Sequence, residues 1–337
     1  MVTFQAADEE QGVEFLYKKF EVDPALFDGP VMVTGAGGCI GAWVLAILTG
    51  SNVPVVACDL ADDRRRPALI MGPEKAAELV WETADISDAA RLTEIAEKHG
   101  VRALIHLAGL QVPFCKANPA LGARVNVEGT INMLELARQR GLKRVAYASS
   151  TAALSMPPGG EFLETLYGAY KAANEYTAFV YWQDWQIPSV GIRPNFVYGL
   201  ARDQGLTSKC TTALHAAVAG EPYEIPWTGP SSFIYAGEAA AAFIAAISRE
   251  GDGSPVFNLN GPTETVATCV ELIEKLQPGA QTAATGDPLP FPPDLSDEPI
   301  RAYLGNYPSI SLAEGLTDTH RAFTQLKAEG RLPPVPA

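Results

Sequence analysis

The run Val31-Met32-Val33-Thr34-Gly35-Ala36-Gly37-Gly38-Cys39-Ile40-Gly41 constrains the fold of this chain more than any other stretch. An apolar strand, Val31–Val33, runs into three glycines at G-x-x-G-x-x-G spacing, and these open a helix over Ile40–Leu48. Glycines in such a turn let the backbone bend tightly and let helix and strand approach closely. Further strand candidates follow at Val53–Ala57, Val80–Thr83, Ala103–Leu107, Val145–Ala148, Ser189–Ile192 and Val256–Leu259. Helical patterns lie between them, over Asp88–Lys98, Leu121–Arg140, Tyr167–Tyr181 and Ala236–Ile247. Repeated β-α units of this kind predict a parallel sheet covered on both faces.

The fold class is therefore α/β, a doubly wound parallel sheet of the Rossmann kind with a smaller C-terminal part that binds substrate. Residues 1–29 form an extension, in which Val13, Leu16, Tyr17 and Phe20 fall at i, i+3, i+4 and i+7 and predict a short amphipathic helix. That helix should pack on the body of the protein or on a second subunit. Residues 30–195 make the sheet domain, to which 233–262 return, and 196–232 with 263–337 make the substrate part. Proline and glycine concentrate in the latter, most densely in Pro288-Leu289-Pro290-Phe291-Pro292-Pro293, which reads as irregular connection and no disordered tail.

A formal net charge of −14 argues against nucleic acid or an anionic membrane as a partner, since both call for clustered Lys and Arg. The one basic run, Arg64–Arg66, follows Asp62-Asp63 and reads as a solvated loop. Five scattered cysteines, with no C-x-x-C pair, give no disulfide framework, and four histidines show no metal-ligand spacing. No metal is expected, and a reducing cytoplasm is the natural setting. The first ten residues lack the basic and apolar regions of a secretory signal.

The glycine turn has a ligand chemistry of its own. A helix N-terminus offers amide donors and a positive dipole end to a pyrophosphate. Asp59 lies 24 residues after Gly35, at the end of the next strand, where a carboxylate accepts both ribose hydroxyls and repels a 2′-phosphate. This spacing favours NAD over NADP. The bland alternative is a strand-end acid in a turn, and Arg64–Arg66 could instead reach a 2′-phosphate. Downstream, Tyr167 precedes Lys171 by four residues on a predicted helix, which stacks the two on one face. Tyr170 lacks that offset. Upstream, Ser149-Ser150-Thr151 ends another apolar strand. A hydroxyl, a phenol and an ammonium beside a dinucleotide suit proton exchange with a substrate alcohol.

With these residues placed, the chain resembles the extended short-chain dehydrogenase/reductase family, the group that contains nucleotide-sugar epimerases and dehydratases. The resemblance runs from about Val31 to Leu326. It rests on Thr34–Gly41, Asp85-Ile86, His106-Leu107-Ala108-Gly109, Asn126–Thr130, Ser149–Thr151, Tyr167–Lys171, and Arg193-Pro194 before Val197-Tyr198-Gly199. It implies cofactor contacts at Gly35, Gly38, Cys39, Ile40, Gly41 and Asp59, with Asp85 and Ile86 flanking the adenine. Leu107, Ala108 and Gly109 would lie under the ribose, with Asn126 close by. The segment Pro194, Asn195 and Val197 would border the nicotinamide. Tyr167 would be the acid/base and Lys171 its electrostatic partner, lowering the phenol pKa and holding the nicotinamide ribose. The hydroxyl that holds the reacting oxygen maps to Thr151, with Ser150 the alternative. A homodimer through helices Leu121–Arg140 and Tyr167–Tyr181 is also implied.

Three departures from the sugar-nucleotide members narrow the substrate. Thr151 is followed by Ala152-Ala153 where dehydratases carry Asp-Glu. Phe196 stands where epimerases usually have an Asn that contacts the diphosphate, and Ser231-Ser232 stands where an Arg is usual. These absences favour a small polar substrate, such as a sugar, sugar acid, hydroxy acid or amino acid, and simple oxidation. Gln111, Phe114, Thr151, Asn195 and Arg202 are pocket candidates, Arg202 for a carboxylate; Lys209 is a further one. Each is otherwise an ordinary surface residue. The competing readings are a sugar or nucleotide-sugar epimerase and, outside enzymes, a dinucleotide-sensing regulator.

Overall fold

The structure is a computed structural model that describes residues 13–160, 162–305 and 307–336. The part of the N-terminal extension before Val13 lies outside the described residues, as does the stretch read for a secretory signal. The central sheet uses strands β1 (Val31–Thr34), β2 (Val55–Asp59), β3 (Val80–Thr83), β4 (Ala103–His106), β5 (Val145–Ala148) and β6 (Val190–Pro194). Seven further short strands follow: β7 (Val197–Tyr198), β8 (Tyr223–Ile225), β9 (Pro230–Ser232), β10 (Ile234–Tyr235), β11 (Val256–Leu259), β12 (Thr263–Thr265) and β13 (Thr282–Ala284). The sheet order is β11-β6-β5-β4-β1-β2-β3, and every pairing within it is parallel. All seven strand candidates read from the sequence are in it. The chain order reverses between β1 and β4, and in doubly wound sheets the crevice at such a point takes the ligand.

β1 is wholly buried, as expected of a central strand covered on both faces. Helices Cys39–Gly50 and Ala236–Ile247 pack together on one side of it, and both are almost continuously apolar. The other face is closed by Leu92, Leu104, Met133, Leu136 and Ile187. The expected N-terminal helix forms over Phe15–Lys18, with Val13, Leu16, Tyr17 and Phe20 all buried. Phe20 stacks on Tyr235 and meets the edge of Trp43, and Lys19 pairs with Asp318 at 2.6 Å. This segment therefore packs on the body of its own chain.

The helix predicted over Leu121–Arg140 is interrupted. Helix Pro119–Ala123 passes through a π turn, Arg124–Glu128, before helix Gly129–Arg140. The cause sits at Asn126, whose Nδ2 donates to the Gly122 carbonyl at 3.0 Å and so competes with the backbone ladder. Its own carbonyl accepts from Thr130 Oγ1 and Asn174 Nδ2. The proline-rich stretch is anchored through its carbonyls, since proline has no N–H to give. Asn195 Nδ2 donates to Pro292 O at 2.8 Å, and Thr263 Oγ1 to Pro293 O at 2.7 Å. Among the described residues no helix is long and apolar enough to cross a membrane, and no cluster of metal-ligating side chains occurs.

Candidate active site

Gly35 follows β1 with φ 70°, a left-handed conformation, and a methyl on it would lie 2.6 Å from Ala108 N. Only glycine fits there, and its absent side chain leaves a cradle between the turn and the strand end carrying Leu107, Ala108 and Gly109. Gly38 caps helix Cys39–Gly50, so the first-turn amides of Cys39, Ile40 and Gly41 have no acceptor within the helix and are donors for an anion. Asp59 ends β2 beside it and accepts from Gly37 N at 2.8 Å and Leu60 N at 2.7 Å. Each of its oxygens keeps a further lone pair for a ribose hydroxyl. This shape and donor set fit a dinucleotide. Asp85 is exposed at the crevice edge, its carboxyl held below the usual range by the Ser87 amide and hydroxyl. Ile86 is buried against Gly129.

The arginine run is less solvated than expected. Arg64 donates to three carbonyls, of Ala76, Ala77 and Leu79, and pairs with Asp62. Arg65 is exposed and pairs with Asp63. Arg66 donates to Gly37 O at 2.8 Å and to Asp203 at 2.7 Å, which clamps the segment after β7 onto the glycine turn. Trp43 Nε1 adds a bond to Leu200 O at 3.0 Å. Sequence reasoning missed this clamp because its partners stand 137 residues apart.

Tyr167 and Lys171 sit on helix Leu166–Trp185, whose N-cap Thr165 accepts from Gly168 N at 2.9 Å. A methyl on Gly168 would lie 2.4 Å from Ala152 O, so the helix presses against the short 3₁₀ helix Thr151–Ser155. That contact brings the phenol of Tyr167 near Ser150, whose hydroxyl favours its ionised form and whose Oγ accepts from Ala152 N at 3.2 Å. Thr151, by contrast, is buried at the start of the 3₁₀ helix. Lys171 is buried, donates from Nζ to Ala148 O at 2.6 Å, and lies 5.5 Å from the Tyr167 ring centroid. Burial brings it down to about 8. Tyr170 faces away, its hydroxyl donating to Pro119 O at 2.9 Å.

The phenol differs from expectation. Burial pushes Tyr167 above its ordinary value of 10, while the Ser150 hydroxyl and the charge of Arg202 pull the other way. The Lys171 ammonium, 5.5 Å from the ring centroid, donates to the Ala148 carbonyl.

Of the remaining candidates, Asn126 is buried near Lys171, with its Oδ1 unpartnered among the described residues. Asn195 spends both amide donors on Asn260 Oδ1 and Pro292 O, and Pro194 ends β6 beside it. Val197 is buried in β7, and Phe114 is exposed on helix Val112–Ala117. Gln111 and Arg202 come together over Gly205. The ends of β5 and β6 are tied by Glu175, which pairs with Arg193 at 2.5 Å and accepts from Ser149 Oγ. Trp185 is exposed and packs at a tilt against the buried Tyr181, with ring centroids 4.9 Å apart. His106 is buried between Thr34 Oγ1 and Thr130 Oγ1 and held neutral by burial, at about 3.

A nucleotide-binding crevice with a serine, tyrosine and lysine at its edge defines an NAD-dependent enzyme of the short-chain dehydrogenase type. The sequence model of the NAD-dependent epimerase/dehydratase family matches residues 31–259, and the chain belongs to that family. A UDP-glucose 4-epimerase of Mycolicibacterium smegmatis is 28% identical over 87% of this chain and 97% of its own length. Among solved structures, a GalE-like L-threonine dehydrogenase from Cupriavidus necator is 25% identical, with TM-score 0.73 over 87% of this chain and 99% of that one. The UDP-glucose 4-epimerase of Thermotoga maritima, 21% identical with TM-score 0.73 over 88% and 99%, shares the fold.

Proposed function

We propose that this protein is an NAD-dependent dehydrogenase that oxidises a secondary alcohol of a small polar molecule, acting as a homodimer. Bound NAD⁺ supplies the hydride acceptor and a positive ring beside the phenol. The glycine turn and the helix Cys39–Gly50 would hold its pyrophosphate and Asp59 its adenosine ribose, with NAD⁺ preferred over NADP⁺ because Arg64–Arg66 are committed elsewhere. Tyr167 takes the proton of the substrate hydroxyl, and a cation nearby favours its ionised form. Ser150 donates to the same oxygen, with Thr151 behind it. Lys171 supplies positive charge and a donor at the ribose.

The observation that carries the choice of a small substrate is the fate of the two diphosphate positions. Phe196 is buried against Trp227 and Phe233, at centroid distances of 5.9 and 5.0 Å. Ser231 and Ser232 are buried in β9, where Ser232 Oγ accepts from Gly261 N at 3.0 Å. Neither place offers a cation to a pyrophosphate, whose desolvation then goes uncompensated. The similarity to UDP-glucose 4-epimerases favours the second reading, an epimerase with no net turnover of NAD. NADH absorbance with sugars, sugar acids, hydroxy acids and amino acids separates the two. Net NADH formation is expected, together with no binding of UDP- or GDP-sugars by calorimetry. Micromolar binding of either would restore the epimerase.

A further inference from the structure

We infer that the substrate of this site carries a carboxylate, and that Arg202 and Gln111 hold it; the inference rests on the dehydrogenase reading above. Arg202 stands on a turn fixed from several sides. Its amide donates to Gly199 O at 3.0 Å, Gly199 N donates to Thr211 Oγ1 at 3.1 Å, and Leu200 and Ala201 on either side of the bend are buried. Ala201 has φ 71°, a strained value for a residue with a side chain, of the kind kept where geometry serves function.

The guanidinium so placed has no counter-charge paired with it among the described residues. Its neighbour Asp203 is turned to Arg66, and no carboxylate among the described residues pairs with Arg202. Arg202 Nε is buried and unpartnered among the described residues. Nη2 gives one hydrogen to Thr207 Oγ1 at 2.9 Å and keeps a second. Nε and the remaining Nη2 hydrogen are thus two donors without a partner among the described residues, the number that a planar carboxylate takes in a bidentate pair. A methyl on Gly205 would lie 2.6 Å from Gln111 Oε1 and 3.3 Å from Arg202 Nη2, so the two side chains meet over that glycine. The Gln111 amide can donate to the same anion.

Position decides what the anion belongs to. Arg66 ties Asp203, the next residue, to Gly37 O, which sets Arg202 beside the glycine turn, and the charge of Arg202 also favours the ionised Tyr167 phenol. The cofactor pyrophosphate already has the helix N-terminus. A carboxylate a few bonds from the reacting carbinol would answer the guanidinium, which makes the substrate a hydroxy acid, sugar acid or hydroxy amino acid.

The test uses NAD⁺-saturated protein and matched pairs in which CH₂OH replaces the carboxylate: glycerate and glycerol, gluconate and sorbitol, threonine and 2-aminobutane-1,3-diol. Calorimetry should show at least one acid binding about tenfold or more tighter than its alcohol, the usual worth of a charge-assisted bond. Arg202→Gln should abolish that preference while NAD⁺ affinity stays within about threefold, and Arg202→Lys should restore part of it. Acids binding no tighter than their alcohols, or not at all, would overturn the inference. So would an Arg202→Gln protein that loses NAD⁺ affinity instead, since the guanidinium would then serve the cofactor. Acid binding without NADH formation would keep the carboxylate site and sink the dehydrogenase reading. NADH formed equally from the neutral alcohols would do the reverse.

Discussion

Removing the Tyr167 hydroxyl leaves the helix that carries it intact, because the Thr165 cap and the Lys171–Ala148 bond do not involve it. Tyr167→Phe should therefore keep fold and NAD⁺ affinity while turnover falls by about 10²–10⁴, the range for a positioned acid/base. Ser150 and Thr151 can be told apart in the same assay. The Ser150 hydroxyl acts on the phenol and Thr151 is buried in the 3₁₀ helix, so Ser150→Ala should cost more turnover than Thr151→Val. A larger loss at Thr151 would return the role to the third hydroxyl of the run, and near-normal turnover in Tyr167→Phe would sink the mechanism.

Helix Leu166–Trp185 presents two faces with different tasks. Tyr167, Lys171 and Asn174 turn inward, while Tyr176, Phe179 and Val180 are exposed, as is Leu121 on helix Pro119–Ala123. Large apolar side chains clustered in solvent mark an interaction surface, and the homodimer expected through these helices would cover them. Sedimentation at micromolar concentration should show a dimer, and Phe179→Glu should give a monomer, because a lone carboxylate in a buried interface stays unpaired. A wild-type monomer at that concentration would remove the dimer from the proposal. The interrupted helix shows how local pattern falls short at this scale. Periodicity runs smoothly from Leu121 to Arg140, and the π turn arises because the Asn126 side chain takes a carbonyl from the ladder while Asn174 reaches across to it.

Across the whole molecule, the C-terminal segments are joined to the sheet through a buried acid. Glu238, in the first turn of helix Ala236–Ile247, accepts from Arg301 Nη2 at 2.7 Å and Ile310 N at 3.1 Å. Burial raises its carboxyl from 4.5 to about 7. A carboxyl raised on folding binds its proton more tightly in the folded state, so its contribution is complete below 4.5 and declines as pH rises to about 7. A displacement of this size corresponds to about 3 kcal/mol. Denaturant melts of wild type and Glu238→Gln should diverge across that window, with the wild type losing stability relative to the variant as pH rises. Parallel profiles would show that the acid does not titrate with folding.

The sequence by itself determined the sheet, its glycine turn and the Tyr/Lys pair, because each rests on short-range rules: apolar runs for buried strands, a tight turn that only glycine allows, a four-residue offset on one helical face. Val31–Thr34, Gly35 and Tyr167 with Lys171 could be read without knowing what lay opposite them. The tertiary structure alone brings Gly168 against Ala152 and so sets the run Ser150-Thr151 beside the phenol. It also decided that Arg66 clamps Asp203 and leaves Arg202 with no carboxylate partner among the described residues, and that Asn195 serves the proline-rich segment. These pairings join residues about a hundred or more positions apart, and no local pattern encodes a partner that closes only when the sheet is built.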